Sequence, residues 1–223
     1  MVYKFNYDMP ELPVQAQLPP GTSDGGGDFI DDFCKFAEHA SPESFSGFHV
    51  ASAVFTLGVA SAGMIVSPQA HRKNTIPIIY QNLAAESSVW RKSTAMEIAE
   101  RILADADLNR LLIAPRITPA AMINRMATPL SKDGPEPVMT TDFEHYHRNA
   151  GQRGWVLDEM GNKMINWLGG TTVYGDLVGM ILEAHNGKDE YESITMIRQR
   201  EKIFEPRLSI LGTSTYSDIT RLD

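Results

Sequence analysis

The sequence has little cysteine, no excess of positive charge and no signal-peptide pattern at its N-terminus, and each shortage makes a class of protein less plausible. Its 223 residues contain a single cysteine, Cys34, so no internal disulfide can form and a reducing compartment is expected. The formal net charge of −8 argues against a protein that wraps duplex DNA by charge alone. The N-terminus lacks the basic-then-apolar pattern of a leader. We therefore expect a cytoplasmic protein.

Long apolar runs are also scarce. One charge-free run, from Val50 to Val66, reaches the lower limit of length for a membrane span, but it is rich in alanine, serine and glycine. A buried helix is therefore expected there, and a membrane-associated segment is the alternative. The amphipathic stretch around Cys34 similarly predicts a buried thiol rather than a nucleophile.

The chain divides by composition into three parts. Residues 1–27 are rich in proline and glycine and predict a flexible arm. Residues 28–67 predict a small helical region, with one helix from Asp28 to His39 and a second from Ser41 to about Ala62. Residues 68–223 predict the main domain.

Within that domain, short apolar runs alternate with helical patterns. Strands are expected over 76–84, 111–114, 155–157 and 208–211, helices over 91–104, from 118 and over 173–185, and an alternating edge strand over 192–200. This order predicts an α/β fold, a mostly parallel sheet covered by helices. Ligands bind such sheets at the carboxyl ends of the strands, where the informative polar residues all lie.

The first polar segment, after strand 76–84, matches only one end of a phosphate-binding loop. The standard pattern is G-x-x-x-x-G-K-[ST], whereas the window here lacks both glycines and reads Glu86-Ser87-Ser88-Val89-Trp90-Arg91-Lys92-Ser93. A lysine and a hydroxyl at a strand-to-helix junction remain, where backbone amides and the helix dipole favour anions. Without glycine, the loop is expected to close differently or to bind phosphate less well. An ordinary polar helix start is the alternative.

Each residue of this segment has an expected role. Lys92 would contact the outer phosphates and the Ser93 hydroxyl would bind Mg²⁺. The remaining predicted nucleotide-binding residues are Ser87, Ser88, Arg91 and Thr94.

Two further strand ends complete the predicted site. Apolar residues followed by Asp158-Glu159 form a Walker B pattern, in which Asp158 holds the metal shell and Glu159 polarises the attacking water as general base. The strand before Thr213-Ser214-Thr215 is similar to the sensor strand of ATPases that have a phosphate-binding loop and a Walker B strand. Thr213 or Ser214 is therefore expected to contact the water or the γ-phosphate. The alternatives are an acidic helix start and ordinary turn residues.

From about Ser41 onward, these motifs together resemble a family of phage, plasmid and bacterial proteins related to primase-helicases. The matching strings are Ser87-Ser88-Val89-Trp90-Arg91-Lys92-Ser93-Thr94-Ala95, Leu157-Asp158-Glu159-Met160-Gly161, Tyr174-Gly175-Asp176-Leu177, Asn186-Gly187 and Glu205-Pro206-Arg207-Leu208-Ser209-Ile210-Leu211-Gly212. The sequence departs from the family at Ala84-Ala85, where a glycine usually precedes Glu-Ser-Ser. It also stops at Asp223, before the family's next strand and distal arginine, which implies either a fragment with a C-terminally incomplete core or a reduced form of the family.

The resemblance implies a RecA-like P-loop NTPase core that binds ATP and Mg²⁺. It further implies a helicase-like, homo-oligomeric ATPase that acts on single-stranded or duplex DNA, in replication or mobilisation of a phage or mobile element, with no membrane partner. The alternative is a nucleotide-binding or scaffold module of the same fold that does not hydrolyse ATP.

Two weaker patterns have plainer interpretations. His145 and His147 stand two residues apart near Asp142, which suits zinc, but a polar loop is the simpler expectation. The basic residues Arg198, Arg200, Lys202 and Arg207 predict either a DNA-facing or nucleotide-facing strand or a solvated edge.

Overall fold

The computed structural model describes residues 29–61, 77–86, 90–127, 151–169, 172–195 and 199–221. The predicted arm, Ser87 and Ser88 of the predicted phosphate loop, and the histidines at 145 and 147 lie outside the described residues. No helix in the described ranges combines the length and apolar character needed to cross a bilayer.

The centre of the fold is a four-stranded parallel sheet, which confirms the predicted α/β class. Its strands are β1 (Tyr80–Ala84), β2 (Leu112–Ile113), β3 (Gln152–Leu157) and β6 (Arg207–Ser214), in the spatial order β1-β6-β3-β2. The last strand in the chain therefore lies between the first and the third.

The intervening pair, β4 (Glu190–Thr195) and β5 (Gln199–Phe204), forms a separate antiparallel hairpin. The prediction of one edge strand over 192–200 was wrong, because two short strands pair with each other. The predicted basic stretch is also largely neutralised where its side chains are described. Lys202 pairs with Glu190 at 2.6 Å, and the buried Arg207 pairs with Glu205 at 2.8 Å.

Helices cover both faces of the sheet. They are α1 (Phe29–Ala40), α2 (Ser46–Ser61), α3 (Lys92–Asp105), α4 (Pro119–Met126), α5 (Met160–Leu168), α6 (Thr172–His185) and the short α7 (Tyr216–Thr220). Thr118 caps α4 by accepting a hydrogen bond from the Ala121 amide at 3.3 Å.

The pleat of the strands separates two apolar clusters. Val156 and Leu211 join the cluster beneath α1, α2 and α3, whereas Trp155 and Ile210 join the cluster beneath α4 and α6. The N-terminal helices therefore share their core with the sheet. Helix α2 contains the described part of the charge-free run and buries much of it, including Ala53, Phe55 and Val59.

Two N-terminal details differ from expectation. Residues 42–44 form turns and bends and α2 starts only at Ser46, so Pro42 does not open the second helix. Cys34 is half-buried rather than buried, because the inward stripe of α1 runs through Phe33 and Ala37, four residues apart on one helix face.

We predict that Gly154→Ala destabilises the fold by about 1–3 kcal/mol, because α2 packs closely on β3 at this position. An added Cβ would lie 2.6 Å from Val59 Cγ2 and 3.1 Å from Phe55 Cζ. The free energy of unfolding in urea measures the effect. Gly179→Ala in α6 is the matched control, because no atom of the described ranges lies within 4 Å of its Cβ position. The control should be neutral or stabilising by up to about 1 kcal/mol, and equal losses in both variants would contradict the packing argument.

Candidate functional site

A polar cleft of about 560 Å³ opens at the carboxyl edge of the sheet. It is lined by five segments: the start of α3, the turn after β3, the start of α5, the end of β6 and the start of α7. Every predicted site residue in the described part of the chain lines it. The lining residues are Arg91, Lys92, Ser93, Thr94, Asp158, Glu159, Asn162, Thr213, Ser214, Thr215, Ser217 and Asp218.

Strand register brings these distant segments together. Ala84 lies opposite Ser214, and Leu157 lies opposite Gly212, so β1, β6 and β3 end at nearly the same level. The Ala85 amide continues the pairing and donates to the Ser214 carbonyl at 3.2 Å. Since all three strands run parallel, the residues that follow them meet at one edge.

Lys92 is the first residue of α3, and its side chain turns back to the end of β1. The ammonium donates to the Ala85 carbonyl at 2.8 Å and to the Glu86 carbonyl at 3.5 Å. The lysine therefore bridges the two ends of the loop 86–92. The backbone amides of the first turn of α3, which begins at Lys92, have no partners within the helix.

Arg91, which precedes Lys92, has a left-handed backbone with φ 47° and ψ 40°. This is the position of the second glycine in the standard phosphate-loop pattern, and glycine adopts this region without steric cost. For another L-residue the left-handed conformation costs about 1–2 kcal/mol. The chain therefore has a glycine-like backbone at this position although the residue is arginine.

The Arg91 guanidinium is paired with a residue that the sequence did not implicate. Its Nε and terminal nitrogen approach Glu43 Oε2 at 3.0 Å and 2.9 Å, and both side chains are more than half exposed. The predicted phosphate contact of Arg91 remains a prediction, and such a contact would compete with this ion pair.

Asp158 lies at the centre of a small network of hydrogen bonds. Its Oδ1 accepts from Thr213 Oγ1 at 2.5 Å, from Ser93 Oγ at 3.3 Å and from the Glu159 amide at 3.1 Å. The Lys163 ammonium donates to the Asp158 carbonyl. The carboxylate is thus held by three donors that come from α3, β6 and its own turn.

Glu159 extends from this turn towards solvent. Its backbone is left-handed, with φ 54°, and the residue immediately precedes α5. No hydrogen bond or ion pair to its carboxylate is found within the described ranges. A strained residue with an uncommitted carboxylate beside a cleft fits the predicted general base.

The two hydroxyl residues at the carboxyl end of β6 hold the acidic turn. Thr213 and Ser214 are both buried. Thr213 donates to Asp158 and accepts from the Glu159 amide at 3.2 Å. Ser214 donates to Asn82 Oδ1 at 2.9 Å and accepts from the Gly161 amide at 2.8 Å. Contact with a γ-phosphate remains a prediction for both residues.

Sequence reasoning missed Asn82 and Asp218. Asn82 lies within β1 and reaches Ser214 on the neighbouring strand, a contact that follows from a strand order no local pattern revealed. Asp218 forms a capping box with Thr215 at the start of α7, and the pattern Thr-x-x-Asp after a strand was the available signal. Hydrogen bonds from the Thr215 side chain and backbone lower the pKa of Asp218, and the charges of Arg221 and Lys92 act in the same direction.

The oxygen atoms that line the cleft are suited to a metal ion that binds together with a phosphate group. No group of three histidine, cysteine or acidic side chains that could hold a metal occurs within the described ranges. Ser93 and Asp158 instead place one hydroxyl and one carboxylate oxygen 3.3 Å apart. Mg²⁺ commonly uses one or two protein oxygens and completes its shell with phosphate and water. The residues present fit that mode.

The function of the chain has to be inferred from the geometry of the cleft. No protein-family model matches the chain, and no curated protein matches it. What the fold and the cleft define is an α/β protein with a polar, lysine- and carboxylate-lined site at the carboxyl edge of a parallel sheet.

We predict that Ser214→Ala destabilises the protein by about 1–3 kcal/mol, because it leaves the Gly161 amide and Asn82 Oδ1 without this partner at a buried joint. Urea unfolding measures the loss. Ser61→Ala is the matched control, since the only partner of the exposed Ser61 hydroxyl among the described residues is a carbonyl of its own helix. The control should change stability by less than about 0.5 kcal/mol. A similarly small change in Ser214→Ala would mean that the hydrogen bonds of Ser214 contribute little to stability.

Proposed function

We propose that this chain is a Mg²⁺-dependent ATPase with a RecA-like P-loop core, and that the cleft at the edge of the sheet is its active site. The observation that carries the proposal is convergence. Lys92-Ser93, Asp158-Glu159 and Thr213 come from three distant parts of the sequence and line one cleft. Those are the residue types that phosphoryl transfer needs: a cation, a metal-binding hydroxyl and carboxylate, and a base.

The strand order supports this interpretation. Because β6 lies between β1 and β3, its hydroxyl residues stand between the lysine and the acidic turn. A γ-phosphate held near Lys92 would then face Thr213 and Glu159. A simple sequential order of strands would place β6 at an outer edge, beside β3 but two strands away from β1 and Lys92.

The chemistry follows from these positions. Lys92 would exchange its bonds to the Ala85 and Glu86 carbonyls for phosphate oxygens, beside the first-turn amides of α3. Ser93 and Asp158 would hold Mg²⁺, which neutralises charge on the phosphate oxygens. Glu159 would take the proton of the attacking water as the bond between the γ-phosphorus and the bridging oxygen breaks, yielding ADP and phosphate.

The proposal extends to a biological setting through the motif resemblance. We infer a helicase-like, homo-oligomeric protein that couples hydrolysis to single-stranded or duplex DNA in the cytoplasm, during replication or mobilisation of a phage or mobile element. The net charge of −8 restricts DNA contact to a local basic surface rather than the whole molecule.

One observation favours the alternative of a binding module that does not hydrolyse ATP. Both predicted phosphate-binding cations already have partners: Lys92 donates to loop carbonyls, and Arg91 pairs with Glu43. Nucleotide binding must displace at least the lysine contacts, which lowers affinity. A module that binds weakly and keeps the fold as a scaffold would tolerate this arrangement.

We predict that Lys92→Ala weakens ATP binding about 10- to 100-fold and abolishes Mg²⁺-dependent hydrolysis, because a charge-assisted contact to phosphate is lost. Calorimetric titration and phosphate release, with and without single-stranded DNA, measure both properties. DNA should raise the wild-type rate. Arg101→Ala is the control, since Arg101 lies on the same helix and its only described partner is the exposed Asp105, at 3.9 Å. A Lys92→Ala protein that binds and hydrolyses ATP like Arg101→Ala would rule out this site.

We predict that Glu159→Gln lowers the hydrolysis rate about 10²- to 10⁴-fold while ATP affinity changes little, because the amide cannot accept the proton of water. Single-turnover phosphate release and equilibrium binding separate the two effects. Glu38→Gln on the exposed side of α1 controls for the change in net charge. Lys92-dependent ATP binding without measurable turnover in the wild type would instead establish the non-hydrolysing module.

A further inference from the structure

We propose that the turn between α1 and α2, residues 41–45, positions the phosphate loop by holding Arg91 in its left-handed conformation, with Glu43 as the main positioning residue. This inference rests on the proposed nucleotide site. It gives the N-terminal helical region a role in that site: the turn supplies by external contact what a glycine supplies by its own backbone.

The turn contacts the end of the loop at three points. The Glu43 carboxylate pairs with two nitrogens of Arg91, at 2.9 Å and 3.0 Å. The Ser44 hydroxyl donates to the Arg91 carbonyl at 3.3 Å. The Phe45 ring meets the Trp90 ring edge-on, with centroids 6.1 Å apart. The side chain of Arg91, its carbonyl and the preceding residue are therefore each held by the turn.

The turn is itself fixed to the core. Ser41 is buried, its amide donates to the Ala37 carbonyl at 2.8 Å, and its hydroxyl shares a hydrogen bond with Ser44. On the far side, Phe45 packs edge-on against Phe48 of α2. Helix α2 is joined to α3 by a buried bond from Ser52 Oγ to the Ala95 carbonyl at 2.9 Å. The turn and the start of α3 thus belong to one packed unit.

Arg91 needs such support because its conformation is unfavourable for any residue but glycine. The steric penalty corresponds to roughly a 5- to 30-fold preference against the left-handed region for other L-residues. One exposed ion pair compensates only part of this preference. Three contacts from one anchored turn, acting together on two adjacent residues, can compensate more.

The effect of losing this support on ligand binding depends on which residue occupies position 91. The Arg91 carbonyl accepts the Ala95 amide of α3 at 3.2 Å, so the Arg91 backbone sets the entry into this helix. If support from Glu43 is lost, the first-turn amides are correctly placed for a smaller fraction of the time. A glycine at position 91 needs no such support, whereas an alanine needs it and cannot receive it from Glu43.

The experiment compares Glu43→Gln, Arg91→Ala and Arg91→Gly, with Glu38→Gln as the control of equal charge change. Calorimetry measures the Kd for Mg²⁺ with a non-hydrolysable ATP analogue. We expect Glu43→Gln to bind about three- to tenfold more weakly than Glu38→Gln, and Arg91→Gly to bind about three- to tenfold more tightly than Arg91→Ala. Equal affinities of the two Arg91 variants would mean that the guanidinium, not the backbone, matters, and would overturn the proposal.

A second measurement keeps this test independent of nucleotide binding. Hydrogen exchange of the Ala95 amide without ligand should be about three- to tenfold faster in Glu43→Gln than in Glu38→Gln. Faster exchange in a protein that binds no nucleotide would support the positioning role and refute the proposed site. Unchanged exchange and affinity in Glu43→Gln, beside normal binding by the wild type, would refute the positioning role alone.

Discussion

The insertion of β6 between β1 and β3 is the constraint on which the cleft depends. Parallel pairing on both sides of β6 fixes the levels at which three strands end, and it places Thr213 and Ser214 beside the acidic turn and the end of β1. Their hydroxyls then form bonds in both directions, to Asp158 and Gly161 on one side and to Asn82 on the other. The cleft is thus a product of backbone register, completed by two short side chains.

The fold class and the cleft residues could be predicted because they depend on local patterns. Apolar runs indicated the parallel strands, and the rule that ligands bind at their carboxyl ends brought Lys92, Asp158 and Thr213 together. The spatial order of the strands could not be predicted in this way, because no local feature of residues 207–214 indicates that this strand inserts between two earlier ones. The hairpin over 190–204 was missed for a related reason, because alternation alone does not reveal where a strand turns back on itself.

Contacts across long sequence separations account for the other omissions. Glu43 and Arg91 are 48 residues apart, and Asn82 and Ser214 are 132 apart. The missing glycines were visible in the sequence, but their structural consequence was not. A poor match to the glycine pattern indicated a different backbone, whereas the structure has a left-handed residue at the second glycine position. The glycine pattern reflects the residue with the lowest conformational energy at this position, and tertiary contacts can stabilise a residue with a higher one.

Arg91 and Glu159 share a property that connects the two halves of the cleft. Both are non-glycine residues in the left-handed region, both immediately precede a helix, and both stand beside the residue expected to act on phosphate or metal. Each is supported by side-chain contacts: Arg91 by Glu43 and Ser44, and the Glu159 amide by its neighbour Asp158 and by Thr213 of β6. Since backbone strain persists only where the surroundings over-determine it, the packed α2–α3 unit and the inserted β6 strand are the elements that hold the cleft in shape. In the described part of the cleft, a ligand would therefore meet largely preorganised residues, and it would have to displace the Lys92 side chain from the carbonyls of Ala85 and Glu86.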